Sequence, residues 1–200
     1  MANREIWIMG ARIAFAPGVF EASPPANDPS GKAKYNCALI LPPNHKQLGE
    51  LQAIELALCT EHEWKDKSKG ADVHKLLAKT DKLAIHEGDT KPNYEGFESN
   101  YFLSPSNDTR PTVMHGVTRA PISKEDGTIY SGCIVNAKVE LWAQDNKWGK
   151  RVNATLLGVQ FVRDGDAFGA GSPPANPDDF PDLDAGDADT RDGVEIPPQV

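Results

Sequence analysis

Aromatic and cationic residues are interleaved at several places in this 200-residue chain. Together they suit one chemistry, the holding of a flexible polyanion whose units carry planar rings. Phosphates need cations along a groove, and bases need aromatic faces on which to stack. Trp142 lies on the polar parity of its segment beside Lys138, and Trp148 follows between Lys147 and Lys150-Arg151. Arg12 lies on the polar face of the first alternating segment, and Lys32 and Lys34 on that of the second. Tyr94, Phe97 and Tyr101 fall in a turn-rich stretch where rings are not all committed to a core. Tyr35 shares an apolar face with Leu39, yet its hydroxyl suits a rim. These residues are the candidate nucleic-acid contacts. Trp7, Phe15 and Phe161 sit on apolar parities and read as core, and Lys65, Lys67 and Lys69 as a solvated helix end.

Other chemistries find fewer residues. Glu87, Asp89 and Asp108 could hold a magnesium ion for nucleolytic work, but no lysine or histidine accompanies them at a telling spacing. There is no GxxxxGK[ST] phosphate loop and no GxSxG elbow, and GKAKY at residues 31–35 is only a glycine before lysines. Cys37, Cys59 and Cys133 form no CxxC pair and read as buried free thiols, and the five histidines lack the i, i+4 spacing of a helical zinc site. The sequence predicts a binding protein without catalytic residues, metal or cofactor.

Charge is divided along the chain. Residues 164–200 hold ten Asp/Glu and one Arg, a formal −9, whereas residues 1–163 carry +1. The last segment is rich in Pro, Gly and Ala and almost without large apolar residues. Its composition predicts disorder, because it cannot bury enough surface to offset the entropy of ordering. A near-neutral body followed by a polyanion suits a protein whose partner is another polyanion, with its own tail as competitor. An acidic tail also serves plain solubility.

The elements that must position these residues follow from periodicity. Residues 5–15 alternate as a long strand with Gly10 as a bend or bulge, Trp7, Met9, Ala11, Ile13 and Phe15 sharing one face. Residues 16–31 hold four prolines and form a loop, and Lys32–Leu41 alternate as a second strand. Asn44 is a plausible N-cap for an amphipathic helix running to about Trp64, and a shorter helix spans Ala71–Lys79. Strands are predicted at Phe97–Leu103 and Thr112–His115, with a turn at Lys124–Gly127. Two strong strands close the domain, joined by a hairpin loop over Gln144–Lys150: Gly132–Ala143, and a last one whose parity slips by one residue at Leu157-Gly158. The pattern predicts a mainly β domain with helical insertions over residues 1–165, an OB-fold or a sandwich, and a tail over 166–200.

The run YSGCIVNAKVELWA (Tyr130–Ala143), followed by GVQFVRDGDAFG (Gly158–Gly169), resembles the paired C-terminal motifs of a family of phage and prophage single-stranded-DNA-binding proteins, nearest to the versions of tailed enterobacterial phages. KYNCALIL (Lys34–Leu41) and the long first strand extend the likeness over most of residues 4–169. The resemblance implies an OB-fold, a five-stranded antiparallel barrel that coats single strands in replication or recombination. It also implies an acidic tail that competes for the DNA groove and recruits replication proteins. Unlike many single-strand binders, the chain ends without a terminal aromatic; Phe180, after Asp178-Asp179, is the tail's one ring near acids. Two other readings remain at this point, an OB-like protein-interaction module of a replisome or virion and a metal-dependent nuclease. Oligomeric state, including a homodimer, and binding of duplex DNA by a tail-less form are open. No run of 18 apolar residues and no secretion signal occur, so a cytoplasmic protein without membrane contact is expected.

Overall fold

A computed structural model of the chain describes residues 3–25 and 28–169. Residues 1–169 form one compact unit. The tail predicted to be disordered lies outside the described residues from Ala170 onward. Its first four residues, 166–169, are described and lie on the barrel.

Among the described residues nine strands run in the order β1 (Asn3–Ala14), β2 (Tyr35–Asn36), β3 (Ala38–Leu41), then after two helices β4 (Ile85–Glu87), β5 (Tyr101–Leu103), β6 (Ser106–Asn107), β7 (Thr112–His115), β8 (Ile134–Asn146) and β9 (Gly149–Arg163). β2 and β3 are one chain path broken at Cys37, and β5 and β6 are one path broken at Ser104-Pro105, where the Cys37 amide donates to the Pro105 carbonyl. With those breaks joined, β1 pairs with β3 and β8, β3 with β5, β2 with β6, and β8 with β9, all antiparallel. Parallel pairing of β6 with β9, Ser106 opposite Thr155, closes the circuit. The result is a five-stranded barrel of OB type, and closure excludes the sandwich. β7 adds to β9 in parallel beyond β6, and β4 extends the sheet beyond β5.

Three bulges interrupt the barrel strands, one of them at Val162, where Ile134 faces Arg163 and Val135 faces Phe161; the other two bear on the site. Gly10, at φ +72°, shifts the β1–β8 register between Ile8 and Ala11. The shift exchanges the faces of β1, so Ile8 before it and Ala11 and Ile13 after it all point into the core. Carrying the alternation through Gly10 misplaces Trp7 and Met9, which are 43% and 50% exposed; Phe15 keeps the parity of Ala11 and Ile13 but lies just past the strand in the left-handed region, at φ 56°, and is 38% exposed. The second bulge is at Leu157, where Lys138 faces Gly158 and Val139 faces Leu156, matching the parity slip in the sequence.

The helices α1 (Leu48–Glu61) and α2 (Gly70–Lys79) lie between β3 and β4 and pack Leu51, Leu58, Cys59, Val73 and Leu77 into the main core. Asn44 does not cap α1, whose N-cap is Gln47. The Gln47 side chain serves β1 instead. Its Oε1 accepts from the Met9 amide at 2.8 Å and its Nε2 donates to the Trp7 carbonyl at 2.8 Å, satisfying a strand edge that β3 does not reach. The three cysteines are free and buried, and burial pushes the Cys37 thiol up to about 12.

A second apolar cluster of Ala14, Ala38, Ile40, Phe97 and Phe102 covers the outside of the β1–β3–β5 sheet. The turns of residues 88–100 fold over it, and residues 164–169 return across it as a strap. The Tyr130 hydroxyl donates to the Gly165 carbonyl at 2.9 Å, the Phe168 amide donates to Ser131 O at 2.9 Å, and the Phe168 ring packs on the cluster. Gly132, at φ +114°, is required there, since a Cβ would lie 2.1 Å from the Asp166 carbonyl oxygen.

Glu55 is the one buried charged residue of the described core. Its Oε1 accepts from the amides of Ala84 at 2.7 Å and Ile85 at 2.9 Å, tying α1 to β4. Burial outweighs these bonds and raises its pKa from 4.5 to about 7. The native state therefore binds the Glu55 proton more tightly than the unfolded chain does. The resulting stability is complete below pH 4.5 and is lost as pH rises through 7. Glu55→Gln keeps the acceptor without the titration. Denaturant unfolding at pH 4.5 and pH 8 should show the wild type losing roughly 3 kcal/mol relative to the variant. Parallel pH profiles for the two proteins would contradict this account.

Candidate nucleic-acid interface

The closing seam of the barrel floors a polar cleft of about 920 Å³. One wall is the chain leaving the helices, Asp81 to His86. Another is β5–β6 with Asp108, and the third is Trp142 and Gln144 of β8 with Arg151–Thr155 of β9. Strand alternation explains which side chains face it. On β9, Arg151, Asn153 and Thr155 lie on the parity opposite Val152 and Leu156, and on β8 Trp142 and Gln144 lie opposite Leu141 and Ala143. The indole of Trp142 is half-buried and fixed by Nε1 donating to Thr155 Oγ1 at 3.0 Å. Asn153 Nδ2 donates to Gln144 Oε1 at 3.2 Å, and Asn107 Nδ2 to the Leu156 carbonyl at 2.8 Å.

Lys34, Lys91 and Arg151 contribute cations to the cleft, against Asp81 and Asp108. Asp81 is engaged by His86 Nδ1 at 2.7 Å. Asp108 pairs with Lys32 at 2.5 Å and Lys34 at 3.7 Å, and the Lys32 hydrogen bond holds its carboxyl below the usual range. Among the described residues Lys91 and Arg151 have no ion-pair partner.

Of the residues chosen from sequence, Lys34, Trp142 and Arg151 meet in this cleft. Lys32 joins them through Asp108, and Tyr35 is half-buried on β2 opposite Asn107, which lines it. Tyr94 is exposed near Lys91, with the ammonium 5.7 Å from its ring. Lys147 and Trp148 form the β8–β9 turn, two residue pairs beyond Gln144–Arg151. Trp148 is 77% exposed and Lys147 Nζ lies 5.0 Å from its ring.

The other candidates are placed elsewhere. Phe97 is 1% exposed in the outer cluster, because the turns around it fold over the sheet, so it is core and offers no stacking face. Arg12 holds the strap, donating to the Gly132 and Asp166 carbonyls with its guanidinium 4.1 Å above the Phe168 ring. Lys138 pairs with Glu5 at 2.5 Å on the outer face, opposite Trp7. Lys150 is taken up by Asp66 and Ser68, at 2.6 and 3.0 Å, over the Trp64 ring; its hydrogen bond lowers the Asp66 carboxyl to about 2. Tyr101 lines a separate cavity of about 640 Å³ between the helices and β4.

Sequence reasoning missed His86, Lys91, Asn107, Asn153 and Thr155. The polar parity of Arg151, Asn153 and Thr155 was a readable signal. His86 and Lys91 gave none, since only the fold brings them to the seam. Glu87, Asp89 and Asp108 do not converge, and among the described residues no three metal-ligating side chains gather at one point.

Comparison with known proteins gives one answer. The family described as the Enterobacter phage Enc34 ssDNA-binding protein matches residues 4–191. Putative protein p50 of Acyrthosiphon pisum secondary endosymbiont phage 1 is 36% identical over 179 residues, covering 90% of this chain and 94% of that protein. The structure of the Enc34 single-stranded DNA-binding protein in complex with ssDNA is similar with a TM-score of 0.65 at 26% identity, over 82% of this chain and 89% of that one. Its C-terminally truncated form gives 0.62 at 25%, over 82% and 88%. The chain therefore belongs to the Enterobacter phage Enc34 ssDNA-binding protein family.

Proposed function

We propose that this chain binds single-stranded DNA with little sequence preference, laying the strand along the cleft at the closing seam. It would act without catalysis in the host cytoplasm, protecting single strands during phage replication or recombination. The observation that carries the reading is the convergence of Lys34, Arg151 and Trp142 on one polar cleft. It combines cations for phosphates with a ring fixed at its rim, which single-strand binding needs. Asn107, Gln144, Asn153 and Thr155 add neutral amides and a hydroxyl, which tolerate any base. The related Enc34 protein, whose structure was determined with ssDNA, supports the same assignment.

The acidic tail is the regulatory part of this reading. Residues 170–200 carry eight Asp/Glu and one Arg, a formal −7. The Gly169 amide donates to Glu95 Oε2 at 2.8 Å, so the barrel ends beside Tyr94 and near Lys91. A polyanion starting there competes with DNA for the same cations, favours single strands over duplex, and offers replication proteins a charged segment. Asp108 is a smaller competitor of the same kind, holding two lysines that a phosphate could use.

Three results are expected. Oligo-dT should be retained with steep salt dependence, and Lys34→Ala with Arg151→Ala should reduce the slope by about 0.7 for each phosphate no longer neutralised. Trp142 emission should be quenched in the wild type; unchanged slope and unchanged emission together would remove the cleft from the binding surface. A protein ending at Gly169, which keeps Phe168 in place, should bind oligo-dT more tightly at low salt and discriminate less against duplex. Equal affinities at low salt would contradict the competition. Asp108→Asn should tighten binding about threefold in a gel-shift titration, with a steeper salt slope. Weaker binding would show that the carboxylate positions the lysines and does not block them.

A further inference from the structure

We propose that Lys65, Lys67 and Lys69, in the loop joining α1 to α2, hold phosphates of the single strand where it leaves the cleft past Trp142. The inference rests on the assignment of the cleft to single-stranded DNA and adds a contact outside the barrel, on the helical insertion. Charge singles out this segment. Residues 65–82 hold six lysines and three aspartates, a formal +3, in a body (residues 1–163) of only +1. The rest of that body is therefore −2, and its positive pole is the loop with α2. Asp66 is engaged by Lys150 and Asp81 by His86, so two of the three carboxylates are already occupied.

The loop is a fixed structure. Asp66 and Ser68 both turn to Lys150 of β9, at 2.6 and 3.0 Å from its ammonium. The lysines on either side of them are exposed, and none of the three has an ion-pair partner among the described residues. Backbone bonds hold the row in place: Lys65 N donates to Asp145 Oδ2 at 2.8 Å, and Lys67 N to the Trp64 carbonyl at 2.8 Å. At the far end Gly70 presses on α1, where a Cβ would lie 2.2 Å from the Cys59 carbonyl oxygen. The buried Trp64 donates from Nε1 to that same carbonyl at 2.8 Å. Cations on a pinned backbone lose less freedom on meeting phosphates than cations on a free loop.

Continuity with the cleft identifies the occupant. β1 pairs with β8 only as far as Trp142, opposite Asn3. Just there lies a second depression of about 410 Å³, and Trp142 and Gln144 line both it and the cleft. Lys65 and His62 line it too, against Glu63 and Asp145. A strand passing over the two shared residues therefore arrives at Lys65, the first of the row. Ammoniums at such points neutralise phosphates without reading bases, so their signature is the salt dependence of binding.

The test compares the full-length wild type with the triple variant Lys65→Gln, Lys67→Gln, Lys69→Gln. A control removes the same charge elsewhere, by Lys46→Gln, Arg119→Gln and Arg163→Gln. Each protein is titrated with oligo-dT of about 6 and about 16 nucleotides, lengths within the footprint range of one OB fold. Binding of the shorter strand is followed by the NMR shift of the Trp142 indole, and thermal melting monitors the fold. On the longer strand the triple variant should bind more weakly at low salt. Its salt slope should fall by about 0.7 for each lysine engaged, or about 2 for all three. On the shorter strand it should match the wild type, and the control should match it on both. Lys65→Gln alone, with a slope reduced by about 0.7, keeps the test available if the triple variant melts early. An unchanged slope on the longer strand, an equal loss on both strands, or an equal loss in the control would overturn the row and leave the cleft standing. A wild type that binds neither strand would overturn the assignment of the cleft and the row with it.

Discussion

Closure of the barrel between β6 and β9 is the constraint from which the rest follows. Antiparallel neighbours can be added by hairpins, but the last pairing here is parallel and joins segments almost fifty residues apart, at Ser106 and Thr155. β6 can reach β9 only because the second chain path changes partners at Cys37 and the third at Pro105. Each uses its first half for one neighbour and its second half for another. The Leu157 bulge twists β9 and presents its remaining edge to β7 once β6 ends. This seam gathers β2, β6, β8 and β9 at one place, and there the outward parity of β9 meets Trp142.

Electrostatics then separates cations that hold the molecule together from those left for a ligand. Lys138 and Lys150 each meet a carboxylate at 2.6 Å or less, and Arg12 is spent on carbonyls and the ring of Phe168. Such contacts at the surface contribute little stability, but they fix side chains and occupy charge. Lys91 and Arg151 have no such partner among the described residues, and both line the cleft. The strap of residues 164–169 has a comparable organising effect. It completes the outer apolar cluster with Phe168 and brings the chain to Glu95, next to Tyr94.

Much of the barrel was legible because its strands obey local rules. The alternation of Cys133, Val135, Ala137, Val139 and Leu141, the slip at Leu157 and the glycine at position 10 were all readable. What failed was any inference that depended on where one segment lies against another. Gly10 reads as a bend or bulge, but following the alternation through it places Trp7 and Met9 inside, and nothing in the pattern shows that Phe15 leaves the strand with a left-handed backbone. Phe97 became core because turns without periodicity fold over a sheet face. Lys150 finds Asp66 from the loop between the helices, a pairing that no spacing announces. Asn44 has a capping side chain, yet the chain turns again before α1 begins at Leu48. Lys34, Trp142 and Arg151 were found because each combines a polar parity with a residue type suited to DNA. Lys91 and His86 required the fold.

The central claim is that the strand lies on the closing seam, and amide and indole NMR shifts of the full chain titrated with oligo-dT test it most directly. The largest changes are predicted at Lys34, His86, Arg151, Asn153 and the Trp142 indole, whose bond to Thr155 makes it a sensitive reporter. Silence at those positions, with the shifts concentrated instead on Trp7 and Met9 of the outer face, would contradict it.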